Sequence, residues 1–178
     1  GLTSVTIPKN VEEIGEYAFE YSKLKKLVIE DGCKTSIGDS AFYSCENLKE
    51  ITIPDSIVKC DESAFDGTAY LAEIEENYYS GPVYIGNILY NYFDDYSTIL
   101  NFKIKEGTTI ICSSGIPRGA VSVKIPASVQ YIEEGAFAYM ENLASINLDS
   151  KNKNFVFKDN TLYTKDKNQK LNSHTSKA

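Results

Sequence analysis

Apolar residues recur along the chain in a fixed pattern of eight positions, first as Leu2, Val5, Ile7, Pro8, Val11, Ile14, Ala18 and Phe19. A near-copy reads Leu48, Ile51, Ile53, Pro54, Ile57, Cys60, Ala64 and Phe65. Another reads Ala120, Val123, Ile125, Pro126, Val129, Ile132, Ala136 and Phe137. Between the first two lies Leu24, Leu27, Ile29, Ile37, Ala41, Phe42, which lacks the proline and carries one additional residue in the turn at 30–35. The Ala-Phe pairs that open at 18, 41 and 64 are 23 residues apart. That period falls within the roughly 20–29 residues of a solenoid made of one short strand and one short helical turn per repeat.

Each offset has a physical task. In Val5-Thr6-Ile7, Ile51-Thr52-Ile53, Phe102-Lys103-Ile104, Val123-Lys124-Ile125 and Ile146-Asn147-Leu148 the first and third side chains point inward and the middle one outward. Stacked repeats lay these strands side by side as a parallel sheet, and no repeat can bury its apolar side without a neighbour. Pro8, Pro54 and Pro126 follow the strand directly, where a missing N–H ends the ladder. The alanines then allow close approach to the sheet while the adjoining phenylalanines fill the interior. An irregular sandwich is the competing architecture.

The repeat is interrupted once. From Ala64 to Gly115 the separation is 51 residues, about 28 more than one period. A degenerate copy, Ile99, Phe102, Ile104, Ile111, then resumes, with Gly115-Ile116 where Ala-Phe is expected. The added segment, about 68–98, is rich in tyrosine: Tyr70, Tyr78, Tyr79, Tyr84, Tyr90, Tyr92 and Tyr96, with Phe93. Residues 83–90 read as a hairpin around Gly86-Asn87. Two readings stand for this insert: it packs back to cover apolar area, or it contacts a ligand, as solenoid insertions often do. A second hairpin is expected at 155–163, with Lys158-Asp159-Asn160 as a three-residue turn, capping the C-terminal side. The fold class is therefore α/β: a solenoid of short parallel strands and short helical turns over 1–178, read as one domain, with an inserted hairpin and a terminal hairpin cap.

Composition narrows the tasks open to such a body. With 25 acidic against 18 basic residues the formal charge is −7, which argues against a phosphate-backbone partner and so against nucleic acid. No apolar run approaches the roughly 18 residues of a membrane span. No secretory leader or lipidation motif is present, so any export signal is expected to lie outside this sequence. The single histidine, His174, sits in a polar tail, which leaves histidine chemistry little to work with.

Asp31, Asp39, Asp61 and Glu62 fall in turns where carboxylates accept from free N–H groups. Glu12-Glu13 and Glu133-Glu134 recur as a solvated edge, and Asp94-Asp95 and the acidic residues at 73–76 lack calcium-loop spacing. Gly86, Gly107 and Gly115 are isolated turn glycines and not a phosphate loop. Of the four cysteines, Cys60 takes a slot held elsewhere by isoleucine and Cys45 the slot of Met140; both read as buried apolar fillers. Cys33 and Cys112 are less constrained: free thiols are expected, with a disulfide from one of them as the alternative. No catalytic residue, metal site or cofactor is expected.

What remains is surface. The outward strand positions form one column, Thr6, Val28, Thr52, Lys103, Lys124 and Asn147, beside a second row of Ser4, Lys26, Glu50, Asn101, Ser122 and Ser145. Candidate ligand-binding residues are Thr6, Lys26, Val28, Glu50, Thr52, Lys103, Lys124 and Asn147 on the sheet face, with Tyr79, Tyr84 and Tyr92 of the insert. Against this stands the bland reading that any sheet face in water must be polar.

The string Leu-x-x-Val-x-Ile-Pro-x-x-Val-x-x-Ile-x-x-x-Ala-Phe at 2–19, repeated at 48–65 and, led by Ala120, at 120–137, resembles the leucine-rich repeats of the BspA-like bacterial surface proteins. The likeness covers about 2–68 and 99–148; the segments at 81–86 and 154–163 also resemble elements that interrupt such repeats. It implies a leucine-rich-repeat solenoid, secreted or held on the cell surface of a host-associated microbe. Adhesion to a protein or glycan partner, host extracellular matrix included, would be its task, and no catalytic residue carries over. A structural spacer displaying another domain is the alternative. The missing proline of the second repeat, Cys60 for Ile and Gly115-Ile116 for Ala-Phe depart from the pattern.

Overall fold

The computed structural model describes residues 1–77, 80–93 and 97–171. Two compact units are present, residues 1–79 with 85–87 and residues 80–84 with 88–178. Tyr78, Tyr79, Asp94, Asp95, Tyr96 and His174 lie outside the described residues.

In the first unit each repeat contributes two strands and a turn. The longer strands β1 (Ser4–Ile7), β3 (Lys26–Ile29) and β5 (Glu50–Thr52) form one parallel sheet. The two-residue strands β2 (Glu13–Ile14), β4 (Ser36–Ile37) and β6 (Lys59–Cys60) form another, which stacks Ile14, Ile37 and Cys60 in one column. The expected alternation holds in β3, where Leu27 and Ile29 are buried and Lys26 is exposed. Val5 and Ile51, on the flanking strands, are only half-buried, whereas Leu27 between them is fully buried. Neighbours on both sides complete the burial of the middle rung.

The Ala-Phe segments close as single turns with bonds to the third residue back, Ala18 N to Gly15 O at 3.2 Å and Ala41 N to Gly38 O at 3.2 Å. Alternate N–H groups reach the next repeat instead: Tyr17 N donates to Asp39 O at 3.1 Å, Phe19 N to Ala41 O at 2.8 Å and Tyr21 N to Tyr43 O at 2.9 Å. The geometry places a left-handed residue four positions apart around each pair: Tyr17 and Tyr21, Ser40 and Ser44, Ser63 and Gly67. Phe19, Phe42 and Phe65 thereby stack face to face, with centroids 5.2 Å apart and planes within 3°. The prolines act as anticipated, Pro8 O accepting from Val11 N at 3.1 Å as the chain leaves β1.

After Phe65 comes a helix that the tyrosine-rich composition concealed, α1 (Ala69–Asn77). Thr68 Oγ1 accepts from Leu71 N at 3.3 Å and caps it, and Leu71 is its buried side chain.

The second unit holds the hairpin β7 (Gly81–Ile85) and β8 (Ile88–Phe93), then β9 (Phe102–Lys103), β10 (Ile110–Ile111), β11 (Ser122–Ile125), β12 (Tyr131–Ile132), β13 (Ser145–Leu148), β14 (Phe155–Lys158) and β15 (Thr161–Thr164). The hairpin is the expected one, turning at Gly86 with φ +59°. Its tip, Ile85–Asn87, belongs to the first unit, where Asn87 Nδ2 donates to Asp55 Oδ1 at 2.6 Å. Strand β8 does more than cover: it pairs in parallel with β10, which pairs with β12, so that Leu89, Ile111 and Ile132 stack as a column of the short-strand ladder.

Strands β9, β11 and β13 form the longer-strand sheet of this unit. The terminal hairpin turns through two residues, because Lys158 pairs with Thr161; Asp159 and Asn160 both take positive φ, as a tight primed turn requires. Phe155 and Leu162 of this hairpin bury in the same cluster as Val123, Phe137 and Ile146.

Candidate binding surface

On the first unit's long-strand sheet the register aligns Ser4 with Lys26 and Lys26 with Glu50, and Thr6 with Val28 and Val28 with Thr52. Both rows anticipated from the pattern are therefore real columns here. Lys26 Nζ meets Glu50 Oε2 at 2.8 Å with both side chains about half exposed or more, so this lysine and this glutamate answer each other. Such a pair contributes little stability, on the order of 0–1 kcal/mol. Thr6 and Thr52 are exposed, and Val28 between them is half-buried.

The second unit's sheet presents a different chemistry. Lys103 pairs with Lys124 and Lys124 with Asn147, while Ser122 pairs with Ser145. Ser122 Oγ lies 2.8 Å from Asn101 Oδ1 and 3.1 Å from Leu100 O, which orients the hydroxyl along the row. Lys103, Lys124 and Asn147 are all exposed. Among the described residues neither Lys103 nor Lys124 enters an ion pair.

The insert's tyrosines are partly committed to the body. Tyr84 is half-buried, its hydroxyl accepting from Lys105 N at 3.1 Å and its ring lying 5.5 Å from the Lys105 ammonium. Tyr92 meets Phe102 edge to face at 5.5 Å, and both Tyr84 and Tyr92 pack against the second unit's core. Covering is what these two rings do. Tyr79 lies outside the described residues.

Other groups expected to be structural are so. All four cysteines are free and buried. Cys45 Sγ donates to Phe19 O at 3.1 Å, and Cys33 Sγ reaches Pro8 O at 3.4 Å and Val11 O at 3.5 Å. Glu133 departs from the solvated-edge reading: it is half-buried and its carboxylate accepts from Ser113 N at 2.7 Å, satisfying a backbone group of the preceding repeat. Gly115 is not a positive-φ turn residue. A Cβ there would lie 2.6 Å from Leu89 O, so the glycine serves close approach. No group of three His, Cys, Asp or Glu side chains placed to hold a metal occurs among the described residues.

Two features escaped the sequence reading. A hollow of about 600 Å³ in the second unit is lined by Gln130, Glu134, Lys153, Lys165, Asp166 and Lys167 among others. Two of its charged groups are engaged, Lys165 Nζ donating to Asn152 O at 2.8 Å. The Lys167 backbone N–H, then the Thr164 hydroxyl, hold the Asp166 carboxyl below its ordinary range. The second feature is the exposed tyrosines at left-handed positions, Tyr17 and Tyr21 in the first unit and Tyr139 in the second, the last with Arg118 5.7 Å from its ring centroid. Their place before and after Ala-Phe was legible, but their conformation was not.

A family model described as the BspA type leucine rich repeat region matches residues 1–115 and 118–177 in six copies. No curated protein matches the chain. Among solved structures, a leucine-rich repeat protein from Eubacterium ventriosum is 23% identical with a TM-score of 0.40, covering 92% of this chain and 36% of its own. The leucine-rich repeat protein of T. pallidum is 20% identical with a TM-score of 0.39, covering 80% and 57%. A leucine-rich cell surface protein from Faecalibacterium prausnitzii is 24% identical with a TM-score of 0.34, covering 94% and 44%. This chain spans between 36% and 57% of the length of these three structures. No helix among the described residues is long and apolar enough to cross a membrane.

Proposed function

The chain belongs to the BspA-type leucine-rich repeat family, and on that premise we propose that it is a non-enzymatic recognition module of a secreted or cell-surface protein. It binds a protein or glycan partner, host extracellular matrix included, through the outward side chains of its long-strand sheets. The observation that carries this reading is the register: Thr6, Val28 and Thr52 in one unit and Lys103, Lys124 and Asn147 in the other stand in columns on adjacent strands. Side chains held about 4.8 Å apart on a rigid sheet can meet a repeating or extended partner with little ordering cost. Tyr84, Tyr92 and Tyr79 of the insert are further candidates.

The test is saturable binding of the whole chain to arrayed matrix proteins, mucins and polysaccharides. Outward charged substitutions, Thr6→Arg with Thr52→Arg and Ser145→Glu with Asn147→Glu, should abolish it in at least one unit. Tyr21→Ala on the turn side should not. Binding indifferent to both outward pairs would overturn the sheet-face reading.

A second reading, a spacer that displays another domain of a longer protein, draws on Lys26 and Glu50, which spend their charges on each other. It predicts that the same substitutions leave the parent protein's activity unchanged.

A further inference from the structure

The recognition reading leaves the partner's chemistry open, and the second unit's sheet narrows it. Lys103 and Lys124 are direct cross-strand neighbours with no ion pair among the described residues. Like charges directly opposite on a sheet repel and destabilise the pairing. In the first unit the column that corresponds to Lys103, Lys124 and Asn147 is the uncharged Thr6, Val28 and Thr52, and in the row beside it Lys26 meets Glu50 at 2.8 Å. The first unit's sheet thus carries either no charge or a neutralised pair across its strands, yet here the same column sets two like charges together with no ion pair among the described residues, on a chain whose formal charge is −7.

The surroundings favour a sugar polymer over a protein. The outward positions beside the lysines are Ser122, Ser145 and Asn147, with Asn101 bonded to Ser122, all short hydrogen-bonding groups. No outward position of β9, β11 or β13 carries a large apolar or aromatic side chain. Protein interfaces draw their affinity from buried Trp, Tyr and Arg anchors and are depleted in lysine, so this face has the wrong composition for one. A flat row of hydroxyls and amides beside paired ammonium groups instead complements a chain of hydroxylated rings bearing anions.

We propose, on the basis of that recognition reading, that the β9–β11–β13 face binds a linear acidic polysaccharide. Lys103 and Lys124 take neighbouring carboxylate or sulfate groups, and Asn147, Asn101, Ser122 and Ser145 bond the ring hydroxyls. The polymer supplies the counter-charge that no described residue gives this pair.

The experiment is affinity electrophoresis or calorimetry of the whole chain with polygalacturonate, heparin, neutral dextran and a single-stranded DNA of matched charge. Polygalacturonate or heparin should bind, dextran and DNA should bind far less, and added salt should weaken the complex. K103Q/K124Q should lower the polyanion affinity about tenfold or more while K103R/K124R keeps it, and Lys34→Gln, at an exposed turn position, should change nothing. An unfolding midpoint that does not fall shows that these exposed substitutions leave the fold intact, and relief of the lysine repulsion should raise it slightly in K103Q/K124Q. Absence of polyanion binding at low salt, an unaffected K103Q/K124Q, or DNA binding as tight as that of the polysaccharide would each overturn the proposal. If a neutral glycan or a protein then binds and is lost on outward substitution, the broader sheet-face reading survives the failure of this one.

Discussion

Cys33 and Asn152 perform the same task in the two units. Each lies four residues beyond the last position of a long strand and reaches back to the preceding repeat's post-strand turn. Cys33 Sγ lies 3.4 Å from Pro8 O and 3.5 Å from Val11 O, and Asn152 Nδ2 lies 3.2 Å from Pro126 O and 3.0 Å from Val129 O. The asparagine adds a second function, its Oδ1 accepting from Asn154 N at 2.8 Å and Phe155 N at 3.0 Å, which starts the terminal hairpin.

Asn152→Ala should therefore be the more costly change. It strands buried carbonyls and N–H groups together, a loss of about 3 kcal/mol, against about 1 kcal/mol for Cys33→Ala, whose thiol is a weak donor. Asn152→Asp should be at least as damaging, since an acceptor would face the two carbonyls. Urea midpoints of the variants measure the order.

Phe42 stacks on Phe19 and on Phe65 and is fully buried. Phe42→Ala should cost about 3–5 kcal/mol and Phe42→Leu appreciably less. Phe19→Ala, at a half-buried ring, should cost less than Phe42→Ala. Equal losses at the two sites would mean that burial from both sides is not what stabilises the stack.

The left-handed positions give a pair of opposite sign. Ser63, at φ +61°, should gain up to about 1 kcal/mol on substitution by glycine, which meets no Cβ penalty there. Gly67 has φ +72°, and a Cβ would sit 3.0 Å from Ser44 Oγ and 3.1 Å from Ser44 Cα, so Gly67→Ala should lose about 1–2 kcal/mol. Thermal midpoints moving in the same direction would contradict the turn geometry.

Gly115→Ala restores the residue that the repeat pattern prescribes, yet it should destabilise. Its methyl would meet Leu89 O at 2.6 Å and Leu89 Cγ at 2.9 Å, a backbone clash worth on the order of 1–3 kcal/mol. A neutral outcome in a melting curve would show that β8 yields.

Burial raises the Tyr70 phenol above its ordinary value. A group whose folded pKa is raised contributes stability that is complete below the unfolded value, about pH 10, and is lost as pH rises through the folded one. Tyr70→Phe should accordingly flatten the loss of stability above about pH 10, as alkaline denaturation curves would register.

The long-strand ladder was legible because Val5, Ile7, Ile51, Ile53, Val123 and Ile125 alternate with polar residues, and alternation is what a half-buried strand imposes. The short ladder was not, because two residues such as Glu13–Ile14 cannot display a period. Only the recurring seven-residue step from Ile7 to Ile14 and from Ile53 to Cys60 hinted at it. Helix α1 had a usable signal in the Thr68 cap followed by Leu71 and Ile74, overshadowed by the aromatic residues around it. Strand β8 lacks the Ala-Phe punctuation of other repeats, so its place in the ladder emerges only from its pairing with β10. On the candidate surface the columns could be foreseen from offsets. The closure of Lys26 on Glu50, and the lack of any such closure at Lys103 and Lys124 among the described residues, could not.

In the first unit neighbouring repeats are joined along three seams: the long strands, the short strands and the alternating bonds of the Ala-Phe turns. Length can change only in the slack between seams, and the supernumerary residue at 30–35 sits in such a place, between β3 and β4. A single-residue insertion within β3 would throw its registers with both β1 and β5 out of step. Chains of this kind are thus free to grow by whole rungs and bound to stay conservative within each one.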